Sequence, residues 1–147
     1  MSAPAILILD SVTRFGPEAR GAIAIAASHG GVYAAHMALE AGVVGLVLND
    51  AGVGLARAGI GGLAYCDTWR IPCATVDYRS ARIGDGPDCA ARGVVSYLND
   101  AADRLGIYVG MAALEAAFPA HSGEPMPTGA GLGSDYCDPL GEAGLFG

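Results

Sequence analysis

The chain has 147 residues, 52% of them apolar, a net charge of −7, and eight arginines without a single lysine. That size suits one domain with a sizeable buried core. The missing lysine excludes a Walker A loop, a lysine Schiff base and a lysine general base, and an acidic chain without a basic stripe predicts no nucleic-acid or anionic-membrane partner.

The first apolar run, Ala5 to Leu9, has strand length and closes on Asp10. Its N-terminal flank carries no basic residue, so no secretory signal is expected. About a dozen residues, including Gly16-Pro17, precede the next run. That is short for a helical crossover, so the first strand is expected to pair antiparallel or to lie at an edge. Gly21 to Leu39 is uncharged over nineteen residues. The Ser-His-Gly-Gly in its middle favours a strand, a loop and a helix over a membrane span.

The second strand, Ile23 to Ala27, leads into "SHGG" and then the alanine-rich helix "VYAAHMALEAG", which should stop at Gly42. Val43 to Leu48 forms a third strand, followed by "NDAGVG" and a helix in "AGIGGLAYCDTWR". Pro72 to Val76 forms a fourth, followed by "DYRSARIGDG". The stretch "PDCAARGVVSYLNDAADRLG" reads as one helix, with Ala91, Val94, Val95, Leu98, Ala102 and Leu105 along a stripe, and Ile107 to Val109 as a last strand. Such alternation predicts a single α/β domain of the flavodoxin-like or Rossmann-like kind. Its sheet would be mostly parallel with four to five strands, and helices would cover both faces. Residues 1–117 form this core. Residues 118–147 hold seven glycines, four prolines, four acids and no Arg or Lys, and read as a tail that docks in part or stays disordered.

If the middle strands are parallel, three polar loops leave one carboxyl edge, where open α/β sheets bind ligands. In the first loop Ser28 would cap the helix or orient a substrate, and His29 would carry a proton. Gly30 and Gly31 would present backbone N–H groups to developing negative charge. In the second loop Asp50 is an alternative proton carrier, Asn49 would orient the substrate, and Gly52 and Gly54 permit close backbone approach. In the third, Arg79 and Arg82 would grip an anion, with Ser80 between them and Asp77, Asp85 and Asp88 around them. The catalytic candidates are therefore Ser28, His29 and Asp50, and the substrate-binding ones Gly30, Gly31, Asn49, Gly52, Arg79, Ser80, Arg82 and Asp85.

These residues suggest a cofactor-independent hydrolase or lyase acting on a small carboxylate-bearing metabolite. The chain is expected to be cytoplasmic and homo-oligomeric. One alternative is a non-catalytic binding or assembly subunit of a larger enzyme. A second is a dinucleotide-binding domain, since Gly52, Gly54 and Gly59 follow a strand, although the third glycine is misplaced for the fingerprint. No metal is assigned, although Asp50, Asp77 and Asp85 could share a divalent cation if they converged. Cys66, Cys73, Cys89 and Cys137 form no C-x-x-C and read as buried thiols, with Cys89 near a helix start where the dipole and nearby aspartates oppose each other.

Overall fold

The computed structural model describes residues 4–122, with side chains through Ala117. Five strands form one sheet in sequential order: β1 (Ile6–Leu9), β2 (Ile23–His29), β3 (Gly45–Asn49), β4 (Cys73–Val76) and β5 (Val95–Leu98). The first four run parallel, and β5 is antiparallel to β4. The class is α/β, as the alternation of runs predicted.

Edge placement of β1 is as expected, but its direction corrects the antiparallel alternative: Ile6 pairs Ile23 in parallel register. Two 3₁₀ turns, Val12–Arg14 and Pro17–Ala19, carry the short connection back along the sheet without a full helix. Ser11 caps the first turn, and Pro17 with its fixed φ opens the second.

Side chains alternate across β2, so its two faces bury different partners. Ala24 and Ala26 join Leu46, Leu48 and Cys73 in a core with α1 (Val32–Ala41) and α2 (Gly61–Thr68). Three alanines of α1, Ala34, Ala35 and Ala38, meet that face, and small groups on both sides let the helix lie close to the strands. Ile25, Ala27, Val47 and Val76 face the other way, toward α3 (Gly86–Arg92) and α5 (Ala113–Ser122). Helices therefore cover both faces. Helix α1 ends where expected, with Gly42 left-handed at φ 94° and its amide bonded back to the last turn. Among the described residues no helix is long and apolar enough to cross a membrane.

The predicted helix over 87–106 is three elements. Helix α3 stops at Gly93, Val95–Leu98 is β5, and α4 (Asp100–Arg104) begins at Asn99, whose side chain accepts the Ala102 amide. Nor is Ile107–Val109 a strand. Left-handed Gly106 and Gly110 bracket it, and buried Ile107 fills a third core with Leu98, Ala102 and Ala116. The expected tail lies largely outside the described residues, and α5 carries the backbone helical across position 117 as far as Ser122.

Candidate functional site

Loops after β2, β3 and β4 do leave one edge, because those strands are parallel. They do not leave an open crevice between them. The charged segment after β4 runs as a strap back across the strand ends. Asn49 Nδ2 donates to the Ala81 carbonyl at 3.2 Å, Gly84 N donates to Ala27 O at 2.9 Å, and Gly86 N donates to Asp10 Oδ1 at 2.8 Å. Each bond fixes the strap over a different strand: β3, β2, then β1. Much of the polarity of "DYRSARIGDG" thus has a structural cause, since a backbone crossing a sheet end must satisfy its own amides and carbonyls.

The loop after β3 closes the other side. Gly59 O sits over Gly30, where any Cβ would overlap it. Gly30 N donates to Asn49 O at 2.7 Å, and Gly30 O accepts from Gly62 N at 2.8 Å. The expected anion cradle at Gly30 and Gly31 is therefore corrected: the Gly30 amide is engaged, and carbonyls of Ala58 and Gly59 cover the turn. The same contact opposes the dinucleotide alternative, because the Gly62 amide in the first turn of α2 is already bonded to Gly30 O.

Ser28 does not cap α1, whose N-cap is Gly31 without a side-chain bond. Its Oγ accepts the Val12 amide at 3.0 Å and lies 3.5 Å from Ser11 Oγ, fastening the first 3₁₀ turn to β2. His29 is exposed, with Nε2 turned against Gly31. Asn49 is fully buried and holds the Ala51 amide as well as Ala81 O, which makes it a structural clamp.

The open space lies one strand further along. A cavity of about 660 Å³ opens between the loop after β3, the end of β4 and the start of β5. Asp50, Gly52, Asp77, Arg79 and Ser80 line it, together with Tyr78, Ser96, Tyr97 and Gly110. Neither His29 nor Ser28 reaches it. Arg82 and Asp85 line a neighbouring depression of about 550 Å³, which shares Tyr78 and Arg79 with the cavity.

Asp50 is 4% exposed, yet it is among the residues that line the cavity. Oδ1 accepts both the Gly52 amide at 2.8 Å and the Tyr78 amide at 3.1 Å. Oδ2 has no hydrogen-bond partner among the described residues. Arg79 makes a two-point contact with Asp77 at 3.2 and 3.0 Å, and its guanidinium lies 5.7 Å from the Tyr78 ring centre. The Arg79 guanidinium holds the Asp77 carboxyl below its ordinary range, and the Arg79 amide adds to the effect. Ser80 Oγ donates to Asp77 O and accepts the Val94 amide, so it ties β4 to β5 and is not a free nucleophile.

Gly52 has φ 77°, and a Cβ there would press on the Tyr78 ring at 3.4 Å. Its neighbour Val53 is also left-handed, at φ 71°, which a β-branched residue adopts only under constraint. With Ala51 and Gly54, four consecutive residues have positive φ on the cavity rim. Such strain costs on the order of 1–3 kcal/mol per non-glycine residue and persists only where surrounding structure enforces it.

Cys89 is buried beneath the strap. Burial raises its thiol pKa above the ordinary value despite the Asn49 contact, which leaves no activated thiolate. Cys66 and Cys73 are likewise buried and free, whereas Cys137 lies outside the described residues. Among the described residues no three His, Cys, Asp or Glu side chains converge to hold a metal. Asp50 and Asp77 share the cavity, while Asp85 accepts the Asp88 amide at the start of α3.

The cavity also contains residues that the sequence reading passed over: Tyr78, Ser96, Tyr97 and Gly110. Two of them, Ser96 and Tyr97, lie on β5, concealed by the apparent helical stripe. Gly93 before it and the Asn99-Asp100 cap signal after it mark the interruption.

No family model, curated protein or solved structure matches this chain.

Proposed function

We propose that the chain is a cofactor-independent enzyme that binds a small carboxylate-bearing metabolite in the cavity between the loop after β3, β4 and β5. Among the two reaction classes expected, the lyase is favoured over the hydrolase. The carrying observation is Asp50, a nearly buried residue of the cavity lining whose Oδ1 is fixed by two amides while Oδ2 has no hydrogen-bond partner among the described residues. An oriented acceptor beside a guanidinium suits proton abstraction next to a substrate carboxylate.

In this scheme Arg79 receives the substrate carboxylate and stays anchored through Asp77. Asp50 takes a proton from the adjacent carbon as a double bond forms. The hydroxyl on the next carbon departs and recovers that proton as water. Neither serine lining the cavity is free to act as a covalent nucleophile: Ser80 Oγ and Ser96 Oγ each take part in two hydrogen bonds, and the buried Cys89 is not a lining residue. The strained 51–54 turn supports the reading, because enforced backbone strain clusters where a site must be held rigid. His29, Ser28 and Gly30 drop out of the chemical scheme on the positions described above.

Calorimetric titration with malate tests this. Wild-type protein should bind it, Arg79→Ala should weaken binding at least tenfold, and Asp50→Asn should bind but abolish dehydration. Equal binding by Arg79→Ala would sink the assignment of the carboxylate partner.

A second reading, self-association or service as an assembly subunit, is favoured by large exposed apolar side chains: Leu55 at 92%, Tyr33 at 65% and Trp69 at 61%. A homo-oligomer would appear as a multiple of 14.7 kDa in light scattering. The three buried thiols agree with a cytoplasmic setting.

A further inference from the structure

We infer that the arginine-lined depression beside the cavity is a subsite for a phosphoryl group, and that the two hollows together accept one phosphorylated hydroxy compound. Tyr78 and Arg79 line both spaces, so the two are contiguous across a single strand end. Arg79, Arg82 and Arg92, three of the eight cationic side chains in an acidic chain, surround the second one.

Their local counter-ions are held by backbone amides or by the arginines themselves, and two of them, Asp85 and Asp88, line the same depression. Asp77 holds Arg79 at two points. Asp85 accepts the Asp88 amide, and Asp88 accepts the Arg82 amide at 2.7 Å. Arg92 Nε reaches Asp88 only at 3.5 Å, with its side chain 71% exposed. The Arg82 guanidinium has no hydrogen bond or ion pair among the described residues.

The two hollows offer opposite chemistry. The cavity presents Asp50, whose Oδ2 has no hydrogen bond among the described residues and calls for a hydroxyl donor. The depression presents guanidinium donors, which call for oxyanions. Separate guanidinium groups suit a tetrahedral phosphoryl group, whose oxygens diverge, better than a planar carboxylate, which one fork satisfies. Only the hydroxyl end of this inference rests on the proposed cavity site; the phosphoryl end stands on the arginines.

Calorimetric titration of the full chain with inorganic phosphate, glycerol 3-phosphate and malate separates the parts. Phosphate should saturate the wild type, and Arg82→Ala and Arg92→Ala should each weaken it tenfold or more. Asp50→Asn should leave phosphate unchanged and weaken glycerol 3-phosphate about tenfold. Because the Arg82 side chain is exposed and unpartnered, its removal should leave the circular dichroism spectrum intact. Absence of phosphate binding, or wild-type phosphate affinity in both arginine variants, overturns the subsite whatever malate does. Unaltered glycerol 3-phosphate binding in Asp50→Asn overturns the spanning ligand. Loss of malate binding alone counts against the cavity reading and leaves the phosphoryl subsite supported.

Discussion

Asp50 Oδ1 accepts the backbone amide of Tyr78 at 3.1 Å, a bond between the loop after β3 and the end of β4 that fixes the floor of the cavity. The same oxygen closes the local turn through Gly52 N. One atom thus holds the architecture, while its twin makes no hydrogen bond among the described residues. Asp50→Asn preserves an acceptor at Oδ1 and should cost little stability, whereas Asp50→Ala leaves two amides unpaired and should cost about 2 kcal/mol. Urea denaturation of the two variants distinguishes them; equal losses would mean that the carboxylate charge, not the acceptor, holds the loops.

Asn99 is the corresponding joint on the opposite, amino-terminal side of β4. Its Oδ1 accepts from Cys73 N and Ala102 N, and its Nδ2 donates to Leu63 O and Ile71 O, all around a fully buried side chain. Removing it strands several buried groups together. Asn99→Ala should destabilise by on the order of 3 kcal/mol, visible as a lowered denaturation midpoint.

Stability should also depend on the Asp77–Arg79 pair in acid. The Asp77 pKa is lowered in the folded chain, chiefly by the Arg79 side chain, so its contribution is present above the ordinary carboxylate pKa. It is lost as pH falls through the lower, folded value. Asp67 has the opposite sign: burial raises its pKa, and its contribution declines as pH rises through that raised value. Arg79→Gln should flatten the acid limb of a stability–pH curve measured between pH 2 and 5. A curve unchanged from wild type would remove the pair from the account.

The thiols give a separate check. Burial raises Cys89, and Cys73 is raised by its hydrogen bond to Cys66 together with burial. In a Cys137→Ser background, maleimide should label none of the three at pH 7.5 until the chain unfolds. Rapid labelling of Cys89 in the native protein would show that the strap opens and that the thiol is accessible.

Apolar patterning made β2, β3, β4 and α1 legible, because the strands are largely continuous buried runs punctuated by glycine or a polar pair and α1 is an alanine-rich stretch closed by Gly42. The shared carboxyl edge followed from their parallel order. What could not be read was the filling of that edge. Whether a strap folds back over strand ends depends on bonds such as Gly84 N to Ala27 O, which join positions far apart in sequence and leave no periodic trace. Hence Arg79, Asp50, Gly52 and Ser80 line one cavity, while the crevice expected beside His29 and Gly30 is filled by the protein itself. Strand β5 was hidden because Val94, Val95 and Leu98 also fit a helical spacing, and four residues are too few to distinguish the two periods.

A titration of ¹⁵N-labelled protein with malate, followed by amide chemical shifts, tests the location of the ligand most directly. Perturbations gathered at residues 50–53, 77–80 and 94–97 are expected. If instead they gather at residues 28–31 and leave Asp50 and Arg79 unmoved, the ligand binds at the β2–α1 turn, contrary to the cavity assignment.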